Sequence, residues 1–154
     1  MSIRPAETKD VPAILSLLGE ILAVHHQERP DIFKASGSKY TSQELDQIIA
    51  KAEQMVFVYE EEGQILGHLF CQIQEPHGNA LQPIKTLFID DLCVASTARG
   101  RGVGQQLFAF AKQYARDQDC YNLTLDVWTD NAAAVRFYQR LGLQSQKIRM
   151  EEIL

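Results

Sequence analysis

Apolar positions along the chain recur with two different periods, and the switches between them spell an element order of βααβββαβαβ. The opening "IRP" reads as a short strand. Val11, Ile14, Leu15, Leu18, Ile21 and Leu22 then share one helical stripe. Asp10 can cap this helix, and Pro12 is tolerated in its first turn. Pro30 ends any helix near Arg29, and "ASGSKY" is a loop. Thr41 followed by Glu44 is a capping box, after which Leu45, Ile48, Ile49 and Ala52 form a second apolar helix face.

The period then changes. "MVFVYEEEGQILGHLFCQI" predicts a hairpin that turns at Glu62-Gly63. "KTLFIDDLCV" is apolar on both parities except at Asp90 and Asp91, the signature of a central strand. A helix with Leu107, Phe108, Ala111, Tyr114 and Ala115 on its core face follows, then the strand "YNLTLDVW". Asp130 or Asn131 can cap a last helix that carries Val135, Tyr138 and Leu141 and stops at Gly142. "SQKIRMEEIL" reads as a closing edge strand. Without repeats or linkers, residues 1–154 are expected to form one α/β (α+β) domain, a mixed sheet of about six to seven strands with helices on both faces.

Composition narrows the function classes. The chain is 45% hydrophobic, no stretch reaches membrane-spanning length, and the N-terminus lacks a secretory apolar core. Cys71, Cys93 and Cys120 are an odd number in apolar surroundings and read as free thiols of a reducing compartment, so the expected location is cytoplasmic. No cysteine and histidine have metal-ligand spacing, so no metal is expected. A formal charge of -5 argues against nucleic acid as main partner and suits a cationic substrate.

Against that acidic background, "VASTARGRGVGQQLF" concentrates two arginines and three alternating glycines between a strand and a helix. The first amides of a helix lack intrahelical partners and carry the positive end of its dipole. Glycine lets an anion approach that backbone, and Arg99 and Arg101 can add charge-assisted bonds. A glycine-rich turn with solvated arginines is the plain alternative. The spacing Gly100-x-Gly102-x-Gly104 is neither the dinucleotide G-x-G-x-x-G nor a triphosphate P-loop.

Arg99-Gly100-Arg101-Gly102-Val103-Gly104 does resemble the acyl-CoA signature [R/Q]-x-x-G-x-[G/A] of the GNAT superfamily of N-acetyltransferases. "DDLCVASTARGRGVGQQLF" looks like that family's strand–loop–helix unit, with its L-x-V at Leu92 and Val94. "DNAAAVRFYQRLGL" is similar to its N-x-x-A-x-x-F-Y-x-x-x-G-F element, with Leu143 for the last Phe, and "IRPAETKDVPAILSLL" to its opening.

The resemblance implies acetyl transfer from acetyl-CoA to an amine within one ternary complex. It implies that the backbone of Leu92, Cys93 and Val94 pairs with the pantetheine arm, in a slot where their strand parts from that of Leu125 and Val127. Amides of Arg99, Gly100, Arg101, Gly102, Val103 and Gly104 would take the pyrophosphate, and Asn131 would contact the cofactor arm besides capping its helix. Tyr138 would be the general acid, although its helical spacing alone predicts only an inward side chain. Asp90 and Asp91 stand where the polyamine (spermidine/spermine-type) branch has "L-E-D". Asp90 matches that branch's proposed base but is one methylene shorter, suggesting a water relay. Strand alternation turns the two aspartates to opposite faces, and a bulge would switch them.

The resemblance puts the acceptor wall on "HHQERPDIFK", with His25, His26, Glu28, Arg29, Asp31 and Phe33; a solvated helix end is the plain alternative. Glu28 and Asp31 suit a cationic amine, whereas Arg29 suits an acceptor with a carboxylate. Trp128 is core or pocket wall. The expected substrate is a small primary amine, a polyamine or amino-acid-like molecule. A peptide acceptor and a non-catalytic acyl-CoA sensor are the alternatives. Family resemblance also suggests a homodimer through edge strands at the C-terminus.

Overall fold

The computed structural model describes residues 2–51 and 53–154, so Ala52 lies outside the described residues. β1 (Ser2–Pro5) leads through a one-turn 3-10 helix (Thr8–Asp10) into α1 (Val11–Glu28), and α2 is Ser42–Ala50. β2 (Gln54–Glu61), β3 (Gln64–Gln74) and β4 (Thr86–Val94) follow, then α3 (Val103–Asp117), β5 (Asn122–Leu125) and α4 (Ala132–Arg140). The strands lie in chain order, antiparallel except for the parallel pair β4 and β5.

Two apolar clusters sandwich the sheet. Ile14 and Leu18 of α1 and Leu45 of α2 pack on Val56, Val58 and Phe70. On the other face Val103, Leu107 and Ala111 of α3 cover Leu69, Leu87 and Ile89, with Tyr138 and Leu141 at the margin. Helices therefore occupy both faces, as the alternating periods require.

Local chemistry accounts for most of the boundaries. Thr41 accepts from the Glu44 amide at 3.1 Å while Glu44 returns a bond to the Thr41 amide, closing the capping box. Glu62 and Gly63 both hold positive φ, 53° and 77°, which gives the two-residue hairpin turn its twist. Asn131 caps α4 by accepting from the Ala134 amide at 3.2 Å. Asp10 occupies the cap position of α1, but its carboxylate is taken by the Glu7 amide and by Arg4, both at 2.8 Å.

The C-terminus departs from expectation. The sheet has five strands, not six or seven, and "SQKIRMEEIL" pairs with nothing among the described residues. Alternation records which faces a segment could offer as a strand; a ladder also needs an adjacent edge, and this chain does not bring one to residues 144–154. β5 likewise stops at Leu125, short of Asp126, Val127 and Trp128.

Candidate active site

The site opens where β4 loses a neighbour. β4 and β5 pair from Thr86↔Asn122 to Ile89↔Leu125 and no further. Among the described residues β4 is held from Asp90 onward only by β3, so the edge of Leu92, Cys93 and Val94 that faces β5 has no partner strand there. Backbone donors and acceptors there are available to an extended polar ligand that adds as a partial strand.

A bulge lies at the same point. Cys71 stands opposite Ile89 and Phe70 opposite Asp91, so Asp90 is an extra residue in β4. Leu87 and Ile89 face α3 before it, while Leu92 and Val94 face α3 after it. Asp90 and Asp91 therefore do not point to opposite faces as simple alternation predicts: both turn toward the α1 and α2 side.

Their partners differ. Asp90 Oδ2 accepts from Lys39 Nζ at 3.1 Å, the Tyr40 hydroxyl at 3.2 Å and Gln54 Nε2 at 3.3 Å. Burial raises the Tyr40 hydroxyl above the usual phenol range and works against the Lys39 ammonium, but the hydrogen bond to Asp90 and the negative charge around it together outweigh burial and hold that ammonium charged. Asp91 Oδ2 meets Nε2 of His68 at 2.5 Å. His68 is completely buried, and its Nδ1 has no partner among the described residues. Sequence reasoning missed His68. The available signal was one imidazole in "LGHLFC", on a strand otherwise apolar on both parities.

Tyr138, on α4, sets its ring against Phe108 and Phe137 and borders the same apolar cluster as Leu92 and Val94. Burial pushes its hydroxyl far above the usual phenol range, and the negative charge of Asp91 adds to the shift. The phenol is thus firmly protonated, in a donor's state, and close enough to Asp91 to feel its charge. Burial likewise pushes the Cys93 thiol up to about 12, so it is no nucleophile at neutral pH.

Beyond Val94 the chain makes a short 3-10 turn at Ser96–Ala98, then Gly100 and Gly102 adopt positive φ of 79° and 80°. Gly102 is the N-cap of α3 and supplies no side chain there, which leaves the first amides of α3 open to solvent. Arg99 has no ion pair among the described residues, whereas Arg101 is bonded to Glu61 of β2. Val103 is buried against the sheet. Gly104 faces α4, where a Cβ would lie 3.2 Å from the end of the Phe137 ring.

The predicted acceptor wall divides into engaged and unengaged groups. Arg29 is held by Asp31 at 2.9 Å and by Glu151 at 2.7 Å, with its guanidinium 6.0 Å from the centre of the Trp128 ring. His26 Nδ1 lies 2.9 Å from the Phe33 carbonyl. His25 stacks on Phe33, which meets Trp128 edge-on. Burial lowers the His25 pKa, keeping the ring neutral near pH 7. His25 Nδ1 and Glu28 Oε2 are buried without a hydrogen-bond partner among the described residues.

With this geometry in view, the comparisons are specific. The acetyltransferase (GNAT) family pattern matches residues 21–143. The uncharacterized N-acetyltransferase YhfO of Bacillus subtilis is 28% identical over 144 residues, 94% of this chain and 90% of that protein. The glucosamine 6-phosphate N-acetyltransferase of Trypanosoma brucei brucei is 25% identical across 97% of this chain and 93% of its own length. A crystal structure of a BH1408 variant from Bacillus halodurans superposes with a TM-score of 0.95 at 29% identity, covering 100% of this chain and 99% of that one. A strand that parts from its neighbour above a glycine-capped helix, and a match spanning most of the chain, lead to one conclusion: the protein is an N-acetyltransferase and belongs to the GNAT family.

Proposed function

We propose that the chain acetylates the primary amine of a small molecule, drawing the acetyl group from acetyl-CoA in a ternary complex. The observation that carries this reading is the coincidence of three features: the unpaired edge of β4 from Leu92 to Val94, the first amides of α3, left without a side-chain cap at Gly102, and Tyr138 of α4 packed at the same apolar cluster as Leu92 and Val94.

The chain fits a thioester carried on a nucleotide. Amides of residues 99–104 would hold its pyrophosphate, with Arg99 adding charge. Main-chain groups of Leu92, Cys93 and Val94 would align the pantetheine, and Asn131, the N-cap of α4, would contact it. When bound, acetyl-CoA supplies an activated acetyl carbon with a thiolate leaving group.

An alkylammonium is not a nucleophile at neutral pH, so the incoming amine must lose a proton. Of the two aspartates, Asp91 suits the base role, since the Asp90 oxygen is already taken by Lys39, Tyr40 and Gln54. His68 fixes the orientation of Asp91 and stays a positioning residue, being sealed from the slot. Asp91 would take one proton from the ammonium before attack; as the C–N bond forms and the C–S bond breaks, the Tyr138 hydroxyl would protonate the departing sulfur, and the second nitrogen proton, lost as the amide forms, would restore the phenol. An amide hydrogen near Leu92 can stabilise the developing oxyanion.

Two observations support a cationic small acceptor. Arg29 is already neutralised by Asp31 and Glu151, leaving Glu28, whose buried Oε2 has no partner among the described residues, as the unmet charge on this side. The aromatic group of His25, Phe33 and Trp128 suits an aliphatic ammonium by stacking and cation–π attraction. A polyamine or an amino-acid-like amine fits these features.

Thiol release from acetyl-CoA, measured across a panel of diamines, amino acids, amino sugars and short peptides, tests the reading. Turnover with small amines is expected. Turnover with peptides alone, or none while coenzyme A binds by calorimetry, would replace it with the peptide or the sensor reading respectively.

A further inference from the structure

The loop between α1 and α2 carries a cation to the acceptor side of the site. Residues 34–41 form no regular element. They fold back over α1, where the Gly37 carbonyl oxygen would lie 3.9 Å from a Cβ on Gly19. Tyr40 then stacks on Phe70 with ring centres 5.9 Å apart, and its hydroxyl donates to Asp90. This anchor sets the neighbouring Lys39 against the same carboxylate, at 3.1 Å. Among the described residues Lys9 pairs locally with Glu7, and Lys39 is the lysine that pairs with a residue of the site.

The contact matters because Asp90 is the second carboxylate that the bulge adds beside Asp91. A carboxylate in that place would otherwise be a ready partner for a second ammonium on the acceptor. Lys39, Tyr40 and Gln54 all donate to Oδ2, Oδ1 accepts none of these bonds, and the Asp90 side chain keeps 20% of its surface exposed. A ligand ammonium can therefore reach Asp90 only beside the Lys39 ammonium, where like-charge repulsion offsets the attraction. Lys39 is itself 47% exposed and commits only one of its N–H donors to Asp90, so the others are available to an anionic group. Arg29, another cation of this wall, is already held by Asp31 and Glu151. His25 senses the charges of Glu28, Asp91 and Lys39 together, which places the four groups in one neighbourhood.

We propose that Lys39 is a specificity-determining residue: by occupying Asp90 it disfavours a second ammonium on the acceptor and favours a carboxylate at the same distance. The inference rests on the reading of this side as the acceptor side of an acetyltransferase. A loop latch is the competing role, in which Lys39 only ties down residues 34–41 and treats every ligand alike.

Two ligands of equal length separate these roles. Putrescine and γ-aminobutyrate share an ammonium at one end and differ at the other, ammonium against carboxylate. Calorimetric titration of each into the chain, with and without coenzyme A, gives the ratio of their association constants. In Lys39→Met the ratio of putrescine to γ-aminobutyrate is expected to rise about 10-fold or more, and in Asp90→Asn, where Lys39 is unopposed, to fall by a similar factor. The Lys39→Met/Asp90→Asn double variant should return to within about threefold of the native ratio. Lys34→Met, which removes an exposed charge from the same loop, should leave the ratio in place. An unchanged ratio in either single variant, or an equal change in Lys34→Met, overturns the proposal, as does a native chain that binds neither amine. If Lys39→Met fails to fold, Asp90→Asn decides from the opposite direction. Failure of the acetyl-transfer reading shows separately, as absence of thiol release with every amine while the binding ratio remains measurable.

Discussion

Gly67 sits on β3 opposite Val94, beneath the N-terminal turn of α3, and replacing it with alanine probes how closely the cofactor cradle is packed. An added Cβ would lie 2.8 Å from the Cys93 carbonyl oxygen, 2.9 Å from Leu107 Cδ1 and 3.3 Å from Val103 Cγ1. Neither of the two nearest atoms can yield cheaply. The first belongs to the backbone of the slot strand, and Leu107 is fully buried in the core. Alanine would otherwise gain about 0.5–1 kcal/mol over glycine inside a strand, so the clash must exceed that for the protein to be weakened. Overpacking of this kind costs about 1–3 kcal/mol, which for a chain of this size lowers Tm by roughly 2–12 °C. Because relief requires β4 or α3 to move, coenzyme A should also bind more weakly to Gly67→Ala. Gly104→Ala is the contrast: its Cβ meets the end of the Phe137 ring at 3.2 Å, and alanine is favoured in a helix interior, so Tm should move by no more than about 2 °C. Thermal unfolding by circular dichroism and calorimetric titration with coenzyme A read both effects. A Gly67→Ala protein that melts with the native one and binds coenzyme A equally would refute the account of the cradle.

Two further outcomes follow from side-chain geometry. Tyr138→Phe should lower kcat by about 100-fold or more while leaving coenzyme A affinity within a factor of two, measured by thiol release and calorimetry, because the ring packing survives and the proton donor does not; equal turnover would remove Tyr138 from the chemistry. Asp10 is held below the usual carboxylate range by its hydrogen bonds from Arg4, so it contributes stability that is present above the unfolded-state pKa of about 3.9 and lost as pH falls through the lower folded value. Asp10→Asn should therefore cost about 1.5–3 kcal/mol at pH 7, and its urea-unfolding curve should approach the native one as pH falls below the usual carboxylate range; a gap that persists unchanged into acid would contradict the charge-based explanation.

What could be read from the sequence was local. The Thr41 and Glu44 box, the Glu62-Gly63 turn and the Asn131 cap each depend on groups within three residues, and the structure forms all three. The glycine loop was equally legible, since strand, glycines and helix are contiguous. Long-range pairings were not. Lys39 and Asp90 are separated by 51 positions, and Arg101 and Glu61 by 40. His68 gains its meaning only when β3 pairs with β4 and sets it against Asp91. The direction of Asp90 hinged on a single extra residue in a ladder, a backbone event that hydrophobic alternation does not encode. Residues 144–154 alternate as a strand does, yet alternation cannot say whether a neighbour exists to pair with them.

The bulge at Asp90 acts as a phase shift in β4. Odd positions feed the α3 core upstream of it, even positions downstream, and the chain passes from one frame to the other within a single residue. Deleting that residue would close the ladder into plain alternation, with Ile89 and Asp91 as direct neighbours opposite Cys71 and Phe70, and would leave Asp91, Leu92, Cys93 and Val94 on their present faces. The insertion therefore adds a second carboxylate to the acceptor side without turning its neighbours over, and comparisons among relatives must place this extra residue before reading any acid or base from the column beside it.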